Sequence, residues 1–122
     1  MNYPKDIPRR NKRLLDLANG KPCLLQIPGV CNGDPTTTVA AHSNLLIHGK
    51  GRGRKAHDCY VVYACADCHF WFDQGPATKY RKIEAFNAAH KRQIDAWKQQ
   101  AQIPRANSPE KLTALWALEA LD

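Results

Sequence analysis

Apolar residues recur every third or fourth position along two stretches near the end of the chain. Between residues 78 and 101 most lysines and arginines fall between those apolar positions, which predicts a long amphipathic helix. A last helix is predicted after Ser108, an N-capping residue that a proline and a glutamate follow. The proline and asparagine before it separate residues 104–122 from a single domain over residues 1–103. We expect this appendage either to fold on the core or to contact a partner, such as a second copy in a homodimer.

Two β-branched or aromatic stretches predict short strands. The first, residues 36–41, arrives at His42, and the second, residues 59–64, leads directly into Cys65. The residues from Cys65 to Asp73 are predicted to form a short helix, because the sequence Gln-Gly-Pro stops it. The local order is therefore strand, loop, strand, helix, and the predicted fold class is α+β.

Length and composition limit the class of protein. A chain of 122 residues with 43% hydrophobic and 24% charged residues is the size of one globular domain and is not a disordered segment. Its net charge of +7 favours a polyanionic partner, such as DNA, RNA or an acidic membrane surface. The N-terminus is polar and basic, and no window approaches membrane-spanning length. We expect a cytoplasmic protein.

Basic residues concentrate in two places. Five fall within residues 5–13, ahead of apolar residues at helical spacing, which predicts a short basic amphipathic helix. Glycines alternate with basic residues over residues 49–55, a pattern that lacks the spacing of a nucleotide-binding P-loop. Each stretch is either a solvated surface or a phosphate contact. The candidates for nucleic-acid binding are Arg9, Arg10, Arg13, Lys50, Arg52, Arg54 and Lys55.

The five cysteines favour a metal site. An odd number cannot pair fully in one chain, and a reducing compartment disfavours disulfides. Cys65-x2-Cys68 has the spacing of a zinc turn, and Cys23 and Cys31, among turn-forming residues, complete four soft ligands for a structural Zn²⁺. Two alternatives stay open. The four thiols could be buried without a metal, and the spare Cys59 is close enough to Cys65 to belong to a different set of four.

A second group of residues points to chemistry on the predicted short helix. His69 and Asp73 stand four apart, so they share a helix face and can bind one divalent ion, such as Mg²⁺ or Mn²⁺. Alternatively, His69 is a zinc ligand and Asp73 a surface acid. His42, at the end of the first strand, is a candidate general base because its ordinary pKa lies near neutrality. His90 lies on the apolar stripe of the long helix and is interpreted as a packing residue.

The order Cys, Cys, Ala-His, Cys-x2-Cys-His resembles the HNH, or His-Me finger, nucleases, and especially the small YbcO-type nucleases of lambdoid prophages. The shared residues are those of the first knuckle, Ile27 to Gly33, then Ala41-His42, the glycine-rich loop, Asp58, and Ala64 to His69 with Asp73. The resemblance covers residues 21–74 firmly and the flanking helices loosely. It implies a small zinc-stabilised ββα-metal core with flanking helices.

The resemblance also implies roles for individual residues. His42 would activate water to attack a phosphodiester, and an ion held by His69, with Asp73 one helical turn on, would stabilise the phosphate and the leaving 3′ oxygen. Asn44 or Asp58 would orient His42 or the loop. The chain departs from the pattern at Ala41, where many relatives carry a metal-binding His or Asp. His48 or His57 could compensate for that missing ligand.

Three functions are consistent with this sequence. The first is a metal-dependent endonuclease or nickase of phage or prophage origin that cleaves a nucleic acid, in our prediction DNA. The second is a zinc-stabilised nucleic-acid-binding accessory protein that does not cleave, which Ala41 and the basic segment favour. The third is an adaptor that binds a protein through the last helix, but this reading leaves His42 and His69 without a role.

Overall fold

The structure is a computed structural model of the chain and describes residues 8–106 and 108–122. It combines four α-helices with one two-stranded antiparallel sheet in this described part, and so confirms the α+β class. In chain order the elements are α1 (Lys12–Asp16), β1 (Val39–His42), β2 (Val61–Ala64), α2 (Ala66–Gln74), α3 (Lys79–Gln100) and α4 (Pro109–Ala120). Short 3₁₀ turns cover Pro35–Thr37 and Leu46–His48.

The two strands pair from Val39 opposite Ala64 to His42 opposite Val61. The first strand starts later than the sequence predicts, because the side chain of Asp34 accepts the N–H of Thr36 and starts a 3₁₀ turn there. Successive side chains of a strand point to opposite faces. Ala41 therefore lies in the core, while its neighbour His42 lies on the other face.

Local capping signals explain where the helices begin. The side chain of Cys65 caps α2, and Gly75 follows its last residue. The side chain of Thr78 accepts the N–H of Arg81 and starts α3, which lies within one residue of each predicted end. Ser108 caps α4 in the same way, as its position before a proline and a glutamate predicts. The basic N-terminal helix is shorter than expected, with Asn11 as its cap, and residues 5–7 of the basic segment lie outside the described residues.

The core has two parts, one on each side of the hairpin region. The first joins the hairpin to α2 and α3 through buried residues that include Ala41, Val62, Phe72 and Phe86. The second joins α1, β2, α3 and α4 through Leu14, Val61, Trp97, Ala114 and Ala117. The last helix therefore packs on the core, while contact with a partner through its exposed side stays a prediction. No helix in the described part of the chain has both the length and the apolar character needed to span a bilayer.

Candidate active site and metal centre

Four cysteines converge where the N-terminal knuckle meets the start of α2. The Sγ atoms of Cys23, Cys31, Cys65 and Cys68 all lie within 4.8 Å of one another, and those of Cys31 and Cys65 are 3.9 Å apart. Sulfur atoms around a tetrahedral zinc ion, at about 2.3 Å from it, lie about 3.8 Å apart. The cluster can therefore hold a metal ion with little rearrangement.

Backbone N–H groups point at these sulfur atoms and favour their ionised form. Gln26 donates to Cys23, Ile27 to Cys68 and Asn32 to Cys65, each over 3.4 Å. Burial raises the pKa of Cys65, but the N–H groups of Asn32 and Cys68 outweigh burial and bring that pKa to about 7. Burial raises the pKa of Cys68 strongly. Burial thus disfavours the thiolate form that the N–H groups favour. A bound metal ion would stabilise that form, because metal-bound cysteine is a thiolate.

The fifth cysteine does not belong to the cluster. Cys59 is buried elsewhere, with its Sγ 3.9 Å from the carbonyl oxygen of Ala120 at the end of α4. His69 is also not among the side chains whose ligand atoms lie close enough to one another to share the metal ion of the four cysteines. The folded chain therefore does not bring together a set of four ligands that includes Cys59. It also does not form a zinc site that includes His69.

A cleft of about 600 Å³ opens on the side of the hairpin opposite the core residue Ala41. It gathers residues from α1, β1, the loop between the strands and α2. Its lining includes five of the side chains that the sequence analysis selected for catalysis, ion binding or phosphate contact, namely His42, His69, Asp73, Lys50 and Lys55. Leu15, Ala40, Ser43 and Asn44 complete the lining.

The two candidate ion ligands face the cleft from one side of α2. His69 Nε2 and Asp73 Oδ2 lie 3.0 Å apart, and both side chains are partly open to solvent. Two ligands about 2.1 Å from one ion and at right angles to each other are about 3 Å apart, which is the cis spacing of an octahedral site. In the structure the two side chains are within hydrogen-bond distance of each other, and the same spacing would suit a divalent ion that keeps its other positions for water or phosphate oxygens. No third His, Cys, Asp or Glu completes a group with them among residues 8–106 and 108–122.

His42 is held by a buried carboxylate. Its Nε2 atom lies 2.8 Å from Oδ1 of Asp58, whose side chain is only 2% exposed. When Nε2 donates its proton to that carboxylate, Nδ1 is the ring nitrogen that can accept a proton. The arrangement fixes both the position and the tautomer of the candidate base.

The carboxylate of Asp58 is held in turn by the N-terminal segment. The backbone N–H of Asn11 donates to Oδ2 over 2.7 Å, and the guanidinium of Arg10 lies 3.2 Å from Oδ1. Burial raises the pKa of Asp58, but the hydrogen bonds from His42 and Asn11 and the charge of Arg10 together hold it below its usual value. Asp58 therefore stays ionised at neutral pH and can stabilise a positive charge on His42.

The predicted phosphate contacts fall into separate groups. Lys50 and Lys55 line the cleft, and Arg52 and Arg54 are exposed on a tight turn closed by reciprocal backbone hydrogen bonds between residues 51 and 54. Arg13 lies on another surface, beside Glu110 at the start of α4.

Two of the predicted contacts make internal bonds instead of facing the cleft. The guanidinium of Arg9 donates to the carbonyl of Ala120, and the guanidinium of Arg10 donates to the carbonyls of Lys55 and Ala56 as well as to Asp58. The sequence offered no sign of this role, because 48 residues separate Arg10 from Asp58.

The position at which a further ligand was expected does not reach the cleft. Ala41 is 1% exposed and packs in the core. His48 lies with its Nδ1 2.6 Å from the Ser43 hydroxyl, and burial lowers its pKa. His57 accepts the N–H of Arg9 through its Nδ1. In the described structure neither histidine lines the cleft, so neither replaces the ligand missing at Ala41.

Comparison with known proteins places the chain in a family. The family model described as "Putative nuclease YbcO" matches residues 12–102, which include the cysteine cluster and every residue of the cleft. The chain belongs to the YbcO family. The YbcO match runs from α1 to just beyond α3, so α4 lies outside the part that the family model describes.

Individual relatives support this YbcO assignment. The chain is 45% identical over 58 residues to "Putative nuclease YbcO" of Escherichia coli strain K12, and equally to the protein of the same name from Enterobacteria phage 82. These matches take in 47% of this chain and 58% of each relative, so the chain spans somewhat more than half the length of the curated relatives it matches.

One solved structure has a similar fold. It is titled "Structure of a putative bacteriophage protein from Escherichia coli str. K-12 substr. MG1655", and it is 29% identical to this chain. The match has a TM-score of 0.56 and covers 71% of this chain and 98% of the other. The family description points to a nuclease-like function at the level of the family.

Proposed function

We propose that this protein is a metal-dependent endonuclease or nickase of the HNH, or His-Me finger, type that hydrolyses phosphodiester bonds in DNA. The observation that carries the proposal is the shared cleft, in which His42, held by Asp58, meets the His69–Asp73 pair beside two lysines. In this reading β1, β2 and α2 form a ββα-metal core. The four cysteines hold a structural Zn²⁺ that joins the knuckle to α2.

The residues divide the reaction between them. His42 Nδ1 accepts a proton from the attacking water, and the Asp58 carboxylate stabilises the imidazolium that forms. His69 and Asp73 would hold the divalent ion, Mg²⁺ or Mn²⁺, which would supply Lewis-acid stabilisation of the phosphate charge and of the leaving 3′ oxygen. Lys50 and Lys55 bind neighbouring phosphates and set the register of the strand.

The four-cysteine site has a separate, structural role in this proposal. Four thiolates in a tetrahedral arrangement suit zinc, and such a closed site leaves no position for substrate. Zinc bound there adds folding free energy to a two-stranded sheet that would be marginal alone. The free thiols this site requires agree with a cytoplasmic location for the protein.

A second candidate function is a nucleic-acid-binding protein that does not cleave. The observation that favours it is the burial of Ala41, which leaves His69 and Asp73 as the two side-chain ligands that face the cleft. A site with two protein ligands binds its ion more weakly than one with three, and an ion too weakly held would leave binding without cleavage.

Cleavage of supercoiled plasmid by zinc-loaded protein, with Mg²⁺ or Mn²⁺ added, distinguishes the two candidates. The nuclease proposal expects nicked or linear product from the parent and much less from Asp73→Asn at the same divalent-ion concentration. The matched control is Asp67→Asn, because Asp67 is an exposed acid of the same helix that does not line the cleft. DNA binding without product under any divalent ion would favour the accessory protein.

Contact through the last helix stays a prediction. Leu112 and Leu115 are exposed on α4, so a homodimer or another partner could use this surface. Measurement of the molecular mass in solution over a range of concentrations tests that contact. An unchanged monomer mass would remove it.

A further inference from the structure

The most exposed large apolar side chains in the described part of the chain are two neighbours. Leu46 is 79% exposed and Ile47 is 84% exposed. They lie together on the 3₁₀ turn between the strands, four and five residues beyond His42. Single exposed apolar residues are ordinary on a protein surface, but two adjacent ones at the edge of a charged cleft need a partner that explains them.

The turn that carries them is held firmly. The Ser43 hydroxyl accepts the N–H of Leu45 over 3.0 Å and lies 2.6 Å from His48 Nδ1. The ring of His48 stacks on that of Tyr60, with centroids 3.9 Å apart. The backbone carbonyl of His48 accepts the N–H of His57 over 2.9 Å. These contacts hold the chain on both sides of the turn, and the two apolar side chains between them lie in solvent.

Glycine at position 49 completes this anchoring. It ends the turn with a φ of +95°, a left-handed conformation that suits glycine. A Cβ added there would meet the His57 ring at 2.7 Å. The backbone of the loop at Gly49 therefore packs directly against the ring of His57.

The charge around the pair indicates the kind of partner. Residues 43–57 contain four basic residues and no acidic one. Ser43, Asn44 and Lys50, on either side of the pair, line the same cleft as His42. An apolar tip flanked by phosphate-binding groups fits a nucleic acid, whose bases are apolar on their faces and lie directly inside a polyanionic backbone.

We propose that Leu46 and Ile47 form an apolar wedge that inserts between stacked base pairs of duplex DNA whose backbone lies in the cleft. The inference rests on the proposed function, since the cleft is what brings the backbone beside the turn. Proteins that insert apolar side chains at a base step unstack it and kink the duplex, which lets more of the backbone contact the protein. The wedge would thus bend the strand towards His42.

The wedge is tested by base unstacking, which does not require cleavage. The probe is a duplex containing 2-aminopurine, whose fluorescence rises when the base loses its stacking neighbours, and the protein is the zinc-loaded His42→Ala variant, so that the DNA stays intact. We expect saturating protein to raise the fluorescence several-fold. Leu46→Ser with Ile47→Ser should abolish the rise. Leu112→Ser, on an apolar residue of α4 that is also more than half exposed, should leave it unchanged.

A second variant separates the wedge from the phosphate contacts. Lys50→Ala with Lys55→Ala should weaken binding and flatten its salt dependence, yet keep the fluorescence rise once the duplex is saturated. The Leu46→Ser, Ile47→Ser protein should show the opposite pattern, with its salt dependence kept and its fluorescence rise lost. Circular dichroism melting checks that each variant is folded, and substitutions at such exposed positions should leave the melting temperature unchanged.

The outcomes separate this inference from the nuclease proposal. An unchanged fluorescence rise in the Leu46→Ser, Ile47→Ser protein overturns the wedge even if the parent cuts DNA, and so does the absence of duplex binding. Loss of self-association in that variant, or loss of binding to vesicles of anionic lipid while the fluorescence rise persists, would assign the pair to a second copy or to a membrane surface. A rise that depends on the pair, in a protein that cuts no DNA with any divalent ion, supports the wedge and refutes the nuclease.

Discussion

Asp58→Asn changes one charge inside the candidate site while keeping the shape of the side chain. The carboxylate is surrounded by hydrogen-bond donors, with the N–H of Asn11 at Oδ2 and the groups of His42 and Arg10 at Oδ1. An asparagine side chain has one carbonyl oxygen and one NH₂ group, so its NH₂ group must face one of these donors. Each of its two orientations therefore has a distinct cost.

If the amide faces His42, the proton of the imidazole moves to Nδ1, because Nε2 must now accept. His42 can then no longer take a proton from water, and we expect the rate to fall by about 10²- to 10⁴-fold. If the amide faces Asn11, a buried N–H is left without an acceptor, which costs about 1–3 kcal/mol of stability. Both costs follow from the 2% exposure of Asp58, which excludes water as a replacement partner.

Two assays check this prediction. Plasmid nicking measured against pH gives the loss in rate, and nitrogen-15 NMR of the His42 ring reports the tautomer whether or not the protein is active. We expect the parent to carry the ring proton on Nε2 and Asp58→Asn to shift it towards Nδ1. Asp67→Asn, on the surface of α2, is the matched control. A rate within threefold of the parent and an unchanged tautomer would show that Asp58 does not set the tautomer of His42.

The lowered pKa of Asp58 makes the contribution of this residue to stability depend on pH. Because this pKa is lower in the folded protein than in the unfolded chain, the stabilisation is complete above the unfolded value of about 3.9 and is lost as the pH falls through the folded value. The difference in unfolding free energy between the parent and Asp58→Asn should therefore be largest near neutral pH and shrink below about pH 4. Denaturant titrations at several pH values measure it, and a difference that grew in acid would contradict this sign.

Three further predictions follow from other parts of the structure. Cys65→Ser should lower the zinc content and the melting temperature, because the metal contributes about 10 kcal/mol or more to such sites; full zinc content with an unchanged melt would contradict the four-cysteine centre. Asp73→Asn should raise the Mg²⁺ or Mn²⁺ concentration needed for half-maximal cleavage by about tenfold or more without changing the melt, and an unchanged metal dependence would remove Asp73 from the ion site. Leu14→Ala should cost about 2–5 kcal/mol in a denaturant titration, because Leu14 of α1 is fully buried in the core cluster that includes Ala114 and Ala117 of α4, whereas Leu112→Ala on the exposed side of α4 should cost under about 0.5 kcal/mol.

Features encoded by neighbouring residues could be predicted from the sequence. Thr78 and Ser108 cap the two C-terminal helices through bonds to residues three positions on, and these signals are local. The spacing of His69 and Asp73 gives a shared helix face in the same way. The four-cysteine set could be predicted from the spacing of the two cysteine pairs and from the choice of Cys59 as the cysteine left out.

Features created by distant contacts could not be predicted. The bond from Asn11 to Asp58 joins positions 47 residues apart, and Arg10, predicted to bind phosphate, is part of that internal network. One local feature was also missed: the first strand starts at Val39 and not at Thr36, because the Asp34 side chain accepts the N–H of Thr36 and turns the chain, which the β-branched pattern of residues 36–38 does not show. The direction of Ala41 depended on the pairing register, which a strand pattern alone does not supply.

The role of His42 as the base of the proposed metal-dependent nuclease can be decided by one comparison. Zinc-loaded parent and His42→Ala proteins are incubated with supercoiled plasmid over a series of Mg²⁺ and Mn²⁺ concentrations, and DNA binding is measured on the same preparations. We predict that the parent nicks or cuts the plasmid only when a divalent ion is present, and that His42→Ala binds as tightly but cleaves at least about 100-fold more slowly. Equal cleavage by both proteins would contradict the role of His42 as the base. Binding without cleavage by the parent would contradict the nuclease function itself.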